Sequence, residues 1–128
     1  MEARLSYQGD ITVVTLKGKL DIEKSGIFRR SCLEKLKAKK VVFNLNELSF
    51  VGSSGITPFI NTIVELSKEH DVRLCGVAYE FKKLIQLTHD PKFPFFENEN
   101  LALQSFSHPL SYFIEKTIVE PVSFGENN

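Results

Sequence analysis

Two adjacent hydroxyls, Ser53 and Ser54, sit between Gly52 and Gly55, after the apolar run Val41 to Leu45 and before a helical pattern that starts at Ile56. A serine in that place can cap the helix, accept a phosphoryl group or attack an electrophile. The last role needs a base. Gly52-Ser53-Ser54-Gly55 is not the G-x-S-x-G turn that presents a nucleophile. His70, His89 and His108 each adjoin a turn residue, and none is spaced to serve these serines. No two histidines or cysteines share metal-ligand spacing, and the phosphate-cradling G-x-x-x-x-G-K-[ST] is absent. The expectation is no enzymatic activity, no metal and no cofactor.

Capping and phosphorylation rest on the same physics. The first N–H groups of a helix lack intrahelical partners, so a serine oxygen is expected to accept from one of them. The same end carries roughly half a positive charge and tolerates an added phosphate. Gly52 and Gly55 leave the approach uncrowded. Spacing alone favours the plain cap and does not exclude the phosphoacceptor.

The elements that must hold these serines follow from periodicity. Ile11-Thr12-Val13-Val14-Thr15-Leu16 is rich in β-branched residues and follows the turn-forming Gln8-Gly9-Asp10, which predicts a hairpin with Arg4 to Tyr7 and an end at Gly18-Lys19-Leu20-Asp21. From Glu23 the period becomes helical, with Phe28, Leu33, Cys32 and Leu36 on one side. Lys40 to Leu45 predicts a strand covered on both faces, followed by a loop over Asn46 to Gly52. Ile56, Phe59, Ile60, Ile63 and Val64 mark a second helix to about Glu69, with Pro58 in its first turn, where a missing N–H costs least. A strand over Val72 to Val77, a helix bearing Phe81, Leu84, Ile85 and Thr88, a Pro-interrupted loop over Asp90 to Phe96, and a short helix over Asn100 to Phe106 capped by Asn98 or Asn100 complete the main body. Leu110, Phe113, Ile114, Thr117 and Ile118 predict one more short helix before Pro121, ahead of a frayed end. Strands alternating with helices imply right-handed parallel crossovers, hence an α/β fold: a small mixed sheet with amphipathic helices packed on it, over residues 1–106, and a partly helical C-terminal extension over 107–128.

Composition narrows the function classes. The 128 residues suit one domain, and 16 Lys and Arg balance 16 Asp and Glu, so the basic excess that phosphate neutralisation demands of a nucleic-acid binder is missing. No apolar run approaches the roughly 20 residues of a spanning helix, and Met1-Glu2-Ala3-Arg4 lacks a signal-peptide profile. Cys32 and Cys75 stand singly in apolar patterns, as buried free thiols do. A soluble cytoplasmic protein without membrane or nucleic-acid partners is the expectation.

Three stretches taken in order resemble a family. Gly18-Lys19-Leu20-Asp21 is similar to a Gly-x-Leu-Asp turn. Asn44-Leu45 with Leu48, Phe50 and Val51 is similar to an Asp-Leu-Ser-x-Val-x-Phe-Ile strand and loop, and Gly52-Ser53-Ser54-Gly55-Ile56 to an Asp-Ser-Ser-Gly-Leu signature. Together, with the later strand Arg73-Leu74-Cys75-Gly76-Val77, they resemble the STAS domain (sulfate transporter and anti-sigma factor antagonist), specifically the stand-alone bacterial anti-sigma factor antagonists, over roughly Leu5 to Phe106.

The resemblance implies a phosphoprotein of transcription regulation. Its acceptor is Ser53, with Ser54 as the alternative, and its partner is an anti-sigma factor that is also a serine kinase and binds the ATP. Asp21, Gly52, Ser53, Ser54, Gly55, Ile56 and Thr57 are its implied docking residues. Two departures stand out: Gly52 and Asn44 occupy positions that are acidic in the family pattern, and both are expected to remove negative charge near Ser53. They motivate an alternative, a non-phosphorylated STAS subunit or scaffold of a larger complex, such as a lipid-transport ATPase or a stress-signalling assembly. The C-terminal extension would then supply an added interface; whether it folds back or joins two chains as a homodimer stays open in the sequence.

Overall fold

The computed structural model describes residues 1–50, 55–88, 95–106 and 118–122, with the side chains of Phe50, Leu84, Ile85, Leu87, Thr88 and 118–122 left aside. In chain order these are β1 (Glu2–Gln8), β2 (Ile11–Leu20), α1 (Ile22–Lys35), β3 (Lys40–Phe50), α2 (Ile56–Leu66), β4 (Asp71–Cys75), α3 (Tyr79–Thr88), β5 (Phe95–Phe96), α4 (Glu99–Gln104) and β6 (Ile118–Val122). The strands form one six-stranded sheet in the order β5-β4-β3-β2-β1-β6. β1 and β2 pair antiparallel, β2 to β5 run parallel, and β6 returns antiparallel to β1. The expected mixed α/β sheet is observed.

Each face has its own core. Strand alternation sends Val14, Leu16, Val41, Phe43, Val72 and Leu74 to one face, where they meet Phe28 and Cys32 of α1, Phe59, Ile60 and Ile63 of α2, and Phe81 of α3. Aromatic contacts tie these layers together: Phe28 stacks on Phe59 at 5.3 Å, Phe59 meets Phe81 at 5.7 Å, and Phe28 stands edge-on to Phe43 at 6.5 Å. The other face gathers Ile11, Val13, Val42 and Cys75 under Ala102 and Leu103 of α4. Cys32 and Cys75 are both free and buried, one in each core. Among the described residues no helix is long and apolar enough to cross a membrane.

Several expectations need correction, among them the loop expected over Asp90 to Phe96, whose last two residues form β5. β3 does not end at Leu45: after a register shift it continues to Phe50, pairing Glu47, Leu48, Ser49 and Phe50 with Lys17, Gly18, Lys19 and Leu20. β2 accordingly runs through the Gly18–Leu20 stretch, with Gly18 at φ +105°, a conformation costly for any side chain. Leu33 is exposed, because its helical phase falls between the buried stripe of Phe28 and Cys32 and the solvent. Ile118 lies in β6 rather than a helix, and Pro121 lies within that strand; the remainder of the expected C-terminal helix, 107–117, and the tail 123–128 lie outside the described residues. Asn98 caps α4, its side chain accepting from the Leu101 N–H at 2.9 Å, as one of the two expected caps.

Candidate functional site

The described part of the site is a backbone contact between two segments far apart in sequence. A Cβ added at Gly55 would lie 2.9 Å from the Leu20 carbonyl oxygen and 3.2 Å from Asp21 Cα. Only a residue without a side chain permits this approach without a shift, and that explains Gly55 directly. The end of β3 is fixed at the same place, since Phe50 pairs with Leu20. Both described neighbours of the 51–54 segment are thus anchored on Leu20 and Asp21. Gly52, Ser53 and Ser54 themselves lie outside the described residues.

Asp21 has a structural duty besides any docking role. It is the N-cap of α1, extended at φ −120°, and its carboxylate accepts from the Lys24 N–H at 3.0 Å. This satisfies one of the helix's unpaired first-turn donors and sets negative charge against the positive end of α1. Beside it Ile22 is 56% exposed, one of the large apolar side chains left in solvent. Sequence reasoning did not single it out. The signal was there: Ile22 directly follows the capping Asp21 and stands off the Phe28–Cys32 stripe.

α2 begins without the expected serine cap. Its N-cap is Gly55, which has no side-chain acceptor to offer, and its first turn holds no acidic residue. Pro58 has no N–H to leave unpaired, and its carbonyl accepts from the Thr62 hydroxyl at 3.0 Å. Thr57 is exposed and Ile56 half-buried against the main core. The α2 end therefore keeps its positive character uncompensated by its own first turn.

Asn44 is held by two hydrogen bonds. Its amide nitrogen donates to Glu99 of α4 at 3.1 Å, and its oxygen accepts from the Asn46 N–H at 3.0 Å, where β3 shifts register. An amide fits here because it both donates to a carboxylate and accepts from the backbone, which an aspartate facing Glu99 cannot do. The carboxylate absent at position 44 is matched by one at Glu99 directly against it.

A separate cleft of about 470 Å³ lies beside the Leu45–Leu48 stretch of β3 and the end of β4, bounded by Asn46, Lys82 and Glu97 among otherwise apolar or glycine residues; it shares no residue with the Asp21–Gly55 contact. Among the described residues no three His, Cys, Asp or Glu side chains gather as metal ligands.

The fold is that of a small α/β domain with a mixed sheet. Residues 3–102 match the STAS domain family, and the chain belongs to that family. It is similar in fold to the anti-sigma factor antagonist SpoIIAA in its unphosphorylated form (17% identity, 77% of this chain and 89% of that one, TM-score 0.52). It is also similar to the Bacillus cell fate determinant SpoIIAA in the phosphorylated form (20%, 81% and 98%, TM-score 0.56) and to a variant of RsbS from Moorella thermoacetica (18%, 77% and 89%, TM-score 0.61). No curated protein matches the sequence significantly.

Proposed function

We propose that this protein is an anti-sigma factor antagonist of the cytoplasm, which docks on an anti-sigma factor with serine-kinase activity and is released when that kinase phosphorylates Ser53. The observation that carries the reading is the contact of Gly55 with Leu20 and Asp21. It joins the two family motifs at one end of the sheet and leaves exposed Ile22 and Thr57 beside them. Asp21, Ile22, Gly52, Ser53, Ser54, Gly55, Ile56 and Thr57 form the docking surface, with Ser54 as the alternative acceptor.

The switch is electrostatic. A phosphoryl group adds about −1.5 to −2 charges and three acceptor oxygens. The α2 end, with no acidic residue in its first turn, tolerates that charge within the domain. A close-packed partner surface around apolar Ile22 does not, because the charge must be desolvated there. Binding is lost while the fold survives. The comparison with SpoIIAA, known in unphosphorylated and phosphorylated forms, supports this reading.

The test uses the anti-sigma kinase of the same cell with ATP, mass-spectrometric mapping of phosphate, and a binding assay. Ser53→Ala should stay unmodified and bound, and Ser53→Asp should bind at least tenfold more weakly. Phosphate on Ser54 in the Ser53→Ala protein would select the alternative acceptor. Binding that is indifferent to Ser53→Asp, with no phosphate on either serine, would instead support a non-phosphorylated scaffold, for which Asn44 and Gly52 are the sequence motive.

A further inference from the structure

The sheet ends on a strand that the family match does not include. Strands β1 to β5 lie essentially within residues 3–102, whereas β6 follows after them and lies along β1. β1 pairs with β2 in unbroken antiparallel register over all seven residues, Glu2 to Gln8, with no proline, glycine or bulge. Its other side is covered by β6 over Ala3 to Tyr7. Without β6 this would be a long, regular, unprotected edge, the kind that recruits another strand. Among the described residues the two edges of the sheet are blunt. β5 has only two residues, and β6 contains Pro121, which can sit in an edge strand only with its nitrogen turned outward.

We propose that β6 is a displaceable guard strand, and that the β1 edge it covers pairs with β1 of a second copy of this chain once β6 leaves. The β1 sequence is self-complementary for that pairing. An antiparallel two-fold centred on Leu5 sets Leu5 opposite Leu5 and Ala3 opposite Tyr7, continuing one apolar face across both copies. On the other face it sets Glu2 opposite Gln8 and Arg4 opposite Ser6, so no like charges stand directly opposite. The extension thus keeps copies apart by pairing within its own chain, where the sequence had left open that it joins them.

The test keeps the full chain. Neighbouring strand residues send their N–H groups to opposite sides, so with the Pro121 nitrogen outward the N–H of Glu120 is directed at β1, and Glu120→Pro removes that donor. Sedimentation should give a monomer for the unmodified protein and a doubled mass for Glu120→Pro with its far-ultraviolet spectrum retained. Adding Ser6→Lys, which sets Lys against Arg4 twice in the two-fold pairing but faces Val119 within one chain, should restore the monomer. A folded monomeric Glu120→Pro protein, or a dimer indifferent to Ser6→Lys, would overturn the proposal. Hydrogen exchange on the unmodified chain decides it even if the proline variant does not fold. The β1-directed amides of Ile118, Glu120 and Val122 should exchange at least tenfold faster than those of Val13 and Val42; equal protection would mean that β6 leaves only with the whole fold, and the guard would be refuted.

Discussion

Single residues show where the site tolerates nothing larger. Gly55 has an ordinary helical backbone, φ −86°, so alanine there should gain about 0.5–1 kcal/mol from reduced unfolded-state freedom. The clash with the Leu20 carbonyl at 2.9 Å opposes this, and it involves backbone on both sides, so neither can swing away. Overpacking of this sort costs about 1–3 kcal/mol, and the clash wins. Gly55→Ala is expected to lower the urea midpoint and to weaken partner binding along with it. Asn44 gives a second prediction. Asn44→Asp would face Glu99 across the present 3.1 Å hydrogen bond, and two carboxylates that close cannot both ionise without penalty. One of them would then titrate above its ordinary value in the folded state. The variant is expected to lose about 1–3 kcal/mol at pH 7 and to approach the unmodified protein's stability as the pH falls below the usual carboxylate range. Urea melts at pH 7 and pH 3 would read this; a loss equal at both pH values would refute the charge account.

At the scale of elements, α1 and α2 are clasped at the surface as well as through Phe28 and Phe59. Arg29 holds Glu65 in a two-pronged pair, Nε to Oε1 and Nη2 to Oε2 at 2.8 Å each. The bond from Arg29 holds the Glu65 carboxyl below its ordinary value, with its charge adding to the effect. A carboxyl lowered in the folded state stabilises above its unfolded value and loses that contribution as the pH drops through the folded one. Glu65→Gln is therefore expected to lower stability at pH 7 and to lose that effect as the pH falls through the folded-state value, by a small margin because both side chains are solvent-exposed. Matched denaturation curves would check it, and a difference that persists in acid would contradict it. Helices of this kind were legible in the sequence because Phe59, Ile60 and Ile63 recur at helical spacing. The length of β3 was not. Asn46-Glu47-Leu48-Ser49 looks like a loop, and only pairing with Lys17 to Leu20 after a register shift keeps it extended. Strand pairing across 30 residues leaves no local trace. The proposed site follows the same division: the serines and Asp21 were visible as motifs, whereas exposed Ile22 and the Leu20–Gly55 contact depend on where α1 and α2 start in space.

The whole molecule is a sheet with a separate core on each face, and the two cysteines report on them independently. Cys32 is on the buried face of α1, in one core with the α2 and α3 side chains, and Cys75 lies beneath α4. The sheet stands between them, so they remain free thiols. Burial raises both above the ordinary thiol value; Cys75 is pushed up to about 12, with the nearby Glu99 charge adding to the effect of burial. At neutral pH neither is an appreciable thiolate, and a thiol reagent must wait for the chain to open. Among the described residues, α4, six residues long, covers its core with Ala102 and Leu103, whereas three longer helices cover the other. Sub-global opening follows such differences in cover. Labelling with a disulfide reagent under native conditions is therefore expected to modify Cys75 at least several-fold faster than Cys32, with Cys32 following global unfolding across added urea. Both thiols modified at one rate would mean that the two cores open only together, and immediate modification of Cys32 would mean that the helical layer over the main core is not closed.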